Sequence, residues 1–209
     1  MGYKILCFGI FCVIFAYYIY TPIPENIEEC WRVRMIDAVV KTTSLVGTLF
    51  EEIGLMKYED TFLTLSSLHL SKPVSDENVT VIDTNFSDIP VRLYLPKKKS
   101  EILRPAIIYL HGGAFVFGSC KMQPYDDLNR WTANKLDAVV VGIDYRLAPQ
   151  YPFPAALEDS VLVVKFILQD KILDKYGVDP ACICISGDSS GATLAAAATQ
   201  LVCCVSLEV

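Results

Sequence analysis

Short apolar runs alternate with longer helical segments from about residue 79 onward. The apolar runs are typical of β-strands and comprise Val79–Asp83, Val91–Leu95, Pro105–Leu110, Ala138–Ile143 and Ala181–Ser186. Helical character is found in Met122–Leu136, Pro154–Leu168 and Ala192–Ala198. Apolar strands joined through helices predict an α/β fold with a mainly parallel sheet and flanking helices. In such a fold the reactive loops lie at the carboxyl ends of the strands.

The apolar positions of two of these helices predict the faces that pack on the sheet. They are Leu128, Trp131 and Leu136 in the first helix, and Leu157, Val161, Val164 and Leu168 in the second.

The N-terminal part of the chain has a different pattern. Ile5 to Tyr20 is an apolar run without a charge, and as a helix it would rise about 24 Å, close to the ~30 Å hydrocarbon core of a bilayer. Bulky tyrosines at its end favour an uncleaved membrane anchor over a cleaved signal peptide or a buried core helix. Lys4 before the run and glutamates after it predict that the bulk of the chain is lumenal.

From Asn26 to Leu70 apolar residues recur at spacings of three and four, which predicts helices. These helices would form a lid or a membrane-facing collar, or would simply pack on the following domain. We therefore divide the chain into a signal-anchor segment at 1–24, a helical lid or collar at 25–76 and an α/β domain at 77–209.

Composition narrows the classes of function. The 209 residues carry a net charge of −6, with no basic segment beyond Lys97–Lys99, so a nucleic-acid partner is not expected. The two histidines and eight cysteines lack zinc-ligand spacing, so no metal or other cofactor is expected. The cysteines are compatible with one native disulfide. Asn78-Val79-Thr80 and Asn85-Phe86-Ser87 are candidate glycosylation sites and agree with a lumenal domain. The oligomeric state is not readable from the sequence.

The segment Gly187–Gly191, with the sequence Gly-Asp-Ser-Ser-Gly, follows the last predicted strand. G-x-S-x-G in that place is typical of a sharp strand-to-helix turn that exposes a serine hydroxyl. We therefore predict Ser189 as a nucleophile, with Gly187, Asp188 and Gly191 shaping the turn. An ordinary glycine-rich turn is the alternative, whereas a phosphate loop is disfavoured because no G-K-[ST] follows. The turn should direct Asp188 away from Ser189, which predicts a structural role for it.

His111-Gly112-Gly113 ends another predicted apolar strand. The backbone N–H groups of Gly113 and Ala114, together with that of Ser190, are predicted to form an oxyanion hole with this loop. Gly112 is expected to shape the loop. We expect His111 to brace the loop rather than to act as a general base.

Together these motifs resemble the hormone-sensitive-lipase branch of the α/β-hydrolases and, within it, arylacetamide deacetylase and its relatives. The residues that carry the resemblance are the N-terminal anchor, Val91–Pro96, His111–Gly113, Arg130–Ala133, Asp144–Pro149 and Gly187–Gly191. The resemblance implies a serine hydrolase of carboxylic esters or amides with lipophilic acyl groups, acting through an acyl-serine. It also implies a single-pass type II protein of the endoplasmic reticulum membrane with a lumenal domain, in preference to a secreted protein.

Three departures from the family pattern change this expectation. Ala114 stands where the family has a third loop glycine, and Ala192-Thr193-Leu194 stands where it has Gly-Asn-Leu. The family also places its triad acid and histidine after the serine, and no aspartate or histidine follows Ser189 here. The alternatives are therefore a catalytically incomplete, C-terminally truncated isoform or fragment, or a lipid-binding or scaffold protein on the same fold. The last predicted strand would then be an exposed edge, which favours aggregation.

Overall fold

The computed structural model describes residues 2–24 and 26–205, and that part forms helices and strands in alternation. The helices are α1 (Gly2–Ile19), α2 (Cys30–Glu52), α3 (Tyr58–Ser67), α4 (Gln123–Leu136), α5 (Ala155–Ile167), α6 (Asp170–Tyr176) and α7 (Ser190–Val205). The strands are β1 (Val79–Phe86), β2 (Ile89–Pro96), β3 (Arg104–Leu110), β4 (Val139–Ile143) and β5 (Val178–Gly187). Each predicted strand coincides with one of these strands to within a few residues, whereas α6 was not predicted.

The described strands form one sheet in the order β1-β2-β4-β3-β5. β3 pairs in parallel with β4 and β5, since helical connections return the chain to the same end of the sheet. β1 and β2 form a hairpin whose turn residues Ser87 and Asp88 have φ of 49° and 68°, as a two-residue turn requires. β2 then pairs antiparallel with β4. The sheet is therefore mixed rather than wholly parallel: β2 runs opposite to the other four described strands, which share one direction.

Apolar strands place the core on both faces of the sheet. All of β4 is buried, as expected for a continuous apolar strand between two layers. One face packs with α5 and α7, through residues that include Ile108, Leu110, Val163, Val164 and Leu194. The other face packs with α4, through Tyr94, Val140 and Ala133 among others.

The predicted packing face of α4 is wrong. Leu128, Trp131 and Leu136 are exposed, and the helix buries Asp126, Asn129 and Ala133 instead. Polar residues can take this face because Asp126 accepts hydrogen bonds from two buried side chains of β2, Arg92 at 3.0 Å and Tyr94 at 2.9 Å. A buried carboxylate is tolerated only when it is paired in this way.

The predicted face of α5 is wrong in part. Of its four residues only Val164 is buried, and Leu168 is exposed. The buried stripe is Ala155, Asp159, Ser160, Val163, Val164 and Ile167. Asp159 again lies inside because a cation, Arg146, binds it.

The chain divides into two units, Met1–Phe62 and Leu63–Val209. In the first unit α1 exposes apolar side chains around its whole circumference, including Phe8, Val13 and Tyr17. Within residues 2–24 and 26–205 no helix combines the length and the apolar character that crossing a bilayer requires. The anchor, the lid and the domain boundaries at 24 and 76 remain predictions.

Candidate active site

The turn after β5 holds Ser189 in a strained conformation. Ser189 is exposed, lies between the end of β5 and the start of α7, and has a φ of 50°. This left-handed region costs a non-glycine residue about 1–2 kcal/mol. Gly191 allows the turn to press on β3, since a Cβ at that position would lie 2.1 Å from the carbonyl oxygen of Leu110. The serine is therefore presented at the carboxyl edge of the sheet.

The loop after β3, residues 111–117, is strained as well; we term it the oxyanion loop after its predicted role. Gly113 has a φ of 130°, and a Cβ there would lie 1.9 Å from the carbonyl oxygen of Phe117, so this position requires glycine. Ala114 and Phe115 follow with φ of 53° and 64°. Within the described residues, the backbone N–H groups of Gly113, Ala114 and Ser190 donate to no acceptor. Those three predicted oxyanion donors therefore have no acceptor among the described residues.

Asp188 joins the two loops. Its Oδ1 accepts hydrogen bonds from the Gly112 N–H at 2.8 Å and the Tyr109 hydroxyl at 3.1 Å. Its Oδ2 accepts one from the Tyr125 hydroxyl at 3.2 Å, and that hydroxyl also accepts from the Gly112 N–H at 3.0 Å. Asp188 therefore turns toward the oxyanion loop, as expected for a structural residue. Gly112 fits this contact because its N–H is engaged and a Cβ at that position would clash with the Asp188 carboxylate.

The sequence motifs do not point to two tyrosines of this arrangement, Tyr109 and Tyr125. Tyr109 carried a signal: a hydroxyl within the apolar run of β3 needs a hydrogen-bond partner when it is buried. Tyr125, on α4, carried none. Burial and the Asp188 carboxylate raise the pKa of Tyr125 to about 12 and also raise the pKa of Tyr109. Both phenols are therefore protonated donors at neutral pH.

His111 holds the loop through a buried hydrogen bond and a stacked ring contact. Its side chain is fully buried and its Nδ1 lies 2.8 Å from the carbonyl oxygen of Gly112, so Nδ1 carries the hydrogen. The ring stacks on Tyr145 with a centroid separation of 4.3 Å, and the Tyr145 hydroxyl donates to the carbonyl oxygen of His111 at 2.6 Å. Burial lowers the pKa of His111, which favours the neutral ring. His111 thus supports the oxyanion loop through its ring and backbone, and it offers no donor to a ligand.

The charged residues after β4 pair locally. Arg146 binds the buried carboxylate of Asp159 through Nε and Nη2 at 2.7 to 3.0 Å. Asp144 forms an ion pair with Lys121 at 3.1 Å. These contacts hold the loop that follows β4 beside the oxyanion loop, where the Ala148 N–H donates to the carbonyl oxygen of Phe115.

An apolar cavity of about 350 Å³ adjoins the oxyanion loop. Its walls come from that loop, from the segment before α5, and from α5 and α7; they include Ala114, Phe115, Tyr151, Phe153, Leu157 and Leu194. Apolar cavities of about 150 Å³ already hold benzene, so this one can take a group larger than a phenyl ring.

The remaining predicted positions lie elsewhere. Asn78 immediately precedes β1 and Asn85 lies near its end, and both are exposed, so glycosylation at these sites remains a prediction. Across residues 2–24 and 26–205 no three side chains of His, Cys, Asp or Glu are grouped as metal ligands.

Comparison with protein families identifies the region that contains both loops. Residues 107–205 match a family described as having the alpha/beta hydrolase fold. A solved hyperthermophilic esterase from the archaeon Pyrobaculum calidifontis is 37% identical and superposes with a TM-score of 0.54, over 68% of this chain and 45% of that one.

Curated relatives match almost the whole chain. Arylacetamide deacetylase-like 2 of Homo sapiens is 57% identical over 202 residues, which are 97% of this chain and 50% of that protein. Arylacetamide deacetylase of Oryctolagus cuniculus is 46% identical over 199 residues, 95% of this chain and 50% of that protein. The chain thus spans about half the length of these curated relatives.

Proposed function

Since this chain belongs to the α/β-hydrolase family, we propose that its chemistry is the hydrolysis of carboxylic esters or amides with lipophilic acyl groups. The observation that carries the proposal is the exposed, strained Ser189 next to a loop whose N–H groups lack acceptors. The names of the deacetylase relatives and of the archaeal esterase support the same class of reaction.

In the proposed reaction Ser189 Oγ attacks the carbonyl carbon of the substrate. The carbonyl oxygen gains the negative charge, and the N–H groups of Gly113, Ala114 and Ser190 stabilise it. The departing alcohol or amine takes up the proton that Ser189 loses and leaves an acyl-serine, which water then hydrolyses to release the acid and restore the hydroxyl. The strain at Ser189 serves this step, because it fixes the hydroxyl without a reorganisation cost during the reaction.

The proton of Ser189 requires an acceptor. His111 is buried with its Nδ1 engaged, and no contact among the described residues joins His111 or His69 to Ser189. Serine hydrolases deprived of their base retain only a small fraction of the intact enzyme's rate. We therefore expect the 209-residue chain, assayed by itself, to acylate slowly.

We assign the lipophilic acyl group to the cavity beside Ala114. Its walls are almost entirely apolar, and its volume of about 350 Å³ accepts an aryl or medium-chain acyl group. This assignment predicts that long alkyl probes react better than methyl analogues of the same leaving group.

Labelling with an alkyl fluorophosphonate tests the proposal. We expect slow labelling of the full chain on the peptide containing Ser189, absent in Ser189→Ala and retained in Ser100→Ala, a control in the loop between β2 and β3. Labelling that persists in Ser189→Ala would contradict the assignment of the nucleophile.

The cavity also favours a second candidate, a lipid-binding protein on the same fold. That function predicts no labelling, together with a rise in melting temperature when decanoate is added. Ser189→Ala would leave that rise unchanged, whereas Leu194→Trp, which fills the cavity, would abolish it.

We further propose that α1 attaches the chain to the endoplasmic reticulum membrane with the rest of the chain in the lumen. Its apolar side chains, exposed on all sides, support a lipid or protein environment for this helix. Endoglycosidase H should increase the mobility of the expressed chain, and Asn78→Gln with Asn85→Gln should remove that effect. Release by alkaline carbonate would argue against the membrane attachment.

A further inference from the structure

The hydroxyl of Tyr145 lies inside the protein, where the loops after β3 and β4 meet the start of α7. Tyr145 is buried in the loop that follows β4, and it donates a hydrogen bond to the carbonyl oxygen of His111 at 2.6 Å. That carbonyl group belongs to the first residue after β3, two residues before Gly113. The contact therefore joins the loop after β4 to the oxyanion loop within the core.

The start of α7 packs against the same carbonyl group. A Cβ at Gly191 would lie 2.6 Å from the carbonyl oxygen of His111, so the first turn of α7 contacts this group directly. The Ser190 hydroxyl is buried and has no partner in hydrogen-bond geometry in the described part of the chain. It lies near the Tyr145 hydroxyl: burial raises the pKa of Tyr145, and the Ser190 hydroxyl opposes part of that rise. Tyr145 thus adjoins the start of α7 as well as the oxyanion loop.

The backbone on either side of Tyr145 is held in place. The Asp144 N–H donates to a carbonyl oxygen of β2 at 3.0 Å, and the Arg146 N–H donates to the Asp159 carboxylate at 2.9 Å. The ring itself stacks on that of His111 with an interplanar angle of 8°. Because both the backbone and one face of the ring are fixed, the phenol oxygen occupies a defined position beneath the candidate site.

We propose that Tyr145 is a positioning residue that sets the separation between the two sides of the oxyanion hole. One side is the N–H groups of Gly113 and Ala114, and the other is the N–H group of Ser190. The inference rests on the proposed function, since donors stabilise a developing oxyanion only when they already converge on one oxygen. The Tyr145 hydroxyl gives its hydrogen to the His111 carbonyl and keeps a lone pair, which accepts the hydrogen of the Ser190 hydroxyl. One phenol oxygen then connects the two sides without touching the substrate.

Acylation of the full chain by two matched esters tests this role. The esters are p-nitrophenyl decanoate and its thiono analogue, in which sulfur replaces the carbonyl oxygen. Sulfur accepts hydrogen bonds weakly, so acylation by the thiono ester depends less on the oxyanion hole. The measured rate is the release of p-nitrophenol in excess of that with Ser189→Ala. We expect Tyr145→Phe to lower the rate about tenfold with the decanoate, less than the loss of a whole donor would, and less than about twofold with the thiono ester.

Tyr176→Phe is the matched control, because this half-buried tyrosine packs on Phe86 and lies at the end of α6, just before β5. It should change neither rate. An unchanged ratio of the two rates in Tyr145→Phe would overturn the proposal, since a loss of folded protein lowers both rates equally. A wild-type chain no faster than Ser189→Ala would instead overturn the proposed function, and this inference with it.

Ser190→Ala tests the second contact, because it keeps both the tyrosine ring and the backbone N–H group. We expect the rate with the decanoate to fall about twofold. The double variant should be no slower than Tyr145→Phe alone, since both changes remove one shared contact. A further decrease would contradict that contact and would show that Ser190 acts on another group, such as the unpaired Nε2 of His111. Should Tyr145→Phe fail to fold, the ratio of the two rates in Ser190→Ala decides the proposal.

Discussion

Replacing Asp188 with alanine should loosen the oxyanion loop and destabilise the domain that carries it. The carboxylate accepts three hydrogen bonds, from the Gly112 N–H, the Tyr109 hydroxyl and the Tyr125 hydroxyl. A hydrogen bond to a charged group contributes about 1.5–3 kcal/mol. Water can replace part of this at the two half-buried tyrosines, and Gly112 keeps the Tyr125 hydroxyl as an acceptor. We therefore expect Asp188→Ala to lower the free energy of unfolding by about 2–4 kcal/mol.

Urea unfolding followed by the fluorescence of Trp131, in a Trp31→Phe background, measures this loss. Asp127→Ala is the matched control, since Asp127 is an exposed carboxylate whose Oδ1 accepts a hydrogen bond from Gln123. Its change should stay within about 0.5 kcal/mol. Asp188→Asn should fall between the two, because the amide keeps one acceptor and can donate to the Tyr125 oxygen.

The loop itself gives a second measurement. Amide hydrogen exchange of Val116 and Phe117, whose N–H groups donate to the carbonyl oxygen of Gly113 in this loop, should accelerate in Asp188→Ala and stay unchanged in Asp127→Ala. A loss in Asp188→Ala no greater than in the control, or exchange at these two amides that does not respond, would refute the idea that Asp188 fixes the loop.

Three further outcomes are expected. The free energy of unfolding measured in urea should be about 1 kcal/mol higher for Ser189→Gly than for Ser189→Ala. Both variants lack the hydroxyl, and only glycine adopts a φ of 50° without strain. Arg92→Met should lower the free energy of unfolding by about 3 kcal/mol, since it deprives the buried Asp126 of a cation; a neutral result would show that Arg130 suffices. The pKa of Tyr125 is about 12 in the folded chain and about 10 in the unfolded chain. The contribution of this group to the free energy of unfolding should therefore be complete below pH 10 and should decrease as the pH rises from 10 toward 12. Denaturant titrations should show a shallower fall in Tyr125→Phe.

The strands were predictable because their signal is local. β4 is apolar at every position since both of its faces are covered, and a run of that length between turn residues is typical of a buried strand. The two glycine motifs were predictable for a similar reason: Gly113 and Gly191 occupy backbone positions where a Cβ would meet a carbonyl oxygen.

The helix faces were less predictable because the deciding partners are distant in sequence. As a charged residue, Asp126 is expected on the surface of α4. Arg92, 34 residues earlier in the chain, donates a hydrogen bond to it and allows it to be buried. Asp159 in α5 depends in the same way on Arg146. The hydrophobicity pattern of one helix contains no information about a cation on another element. The apolar residues of α4 therefore do not mark the face that the helix buries.

The register of two parallel strands is what turns two separate motifs into one site. Leu110 at the end of β3 pairs with Gly187 at the end of β5, so the loops that follow them start side by side. The contact between Gly112 and Asp188 then spans 76 residues of sequence. Positive φ at Ala114 and Ser189 strains each loop, and neither strain would persist without the other loop to hold it. The site therefore depends on the pairing of β5 with β3, which positions Ser189 beside the loop that follows β3.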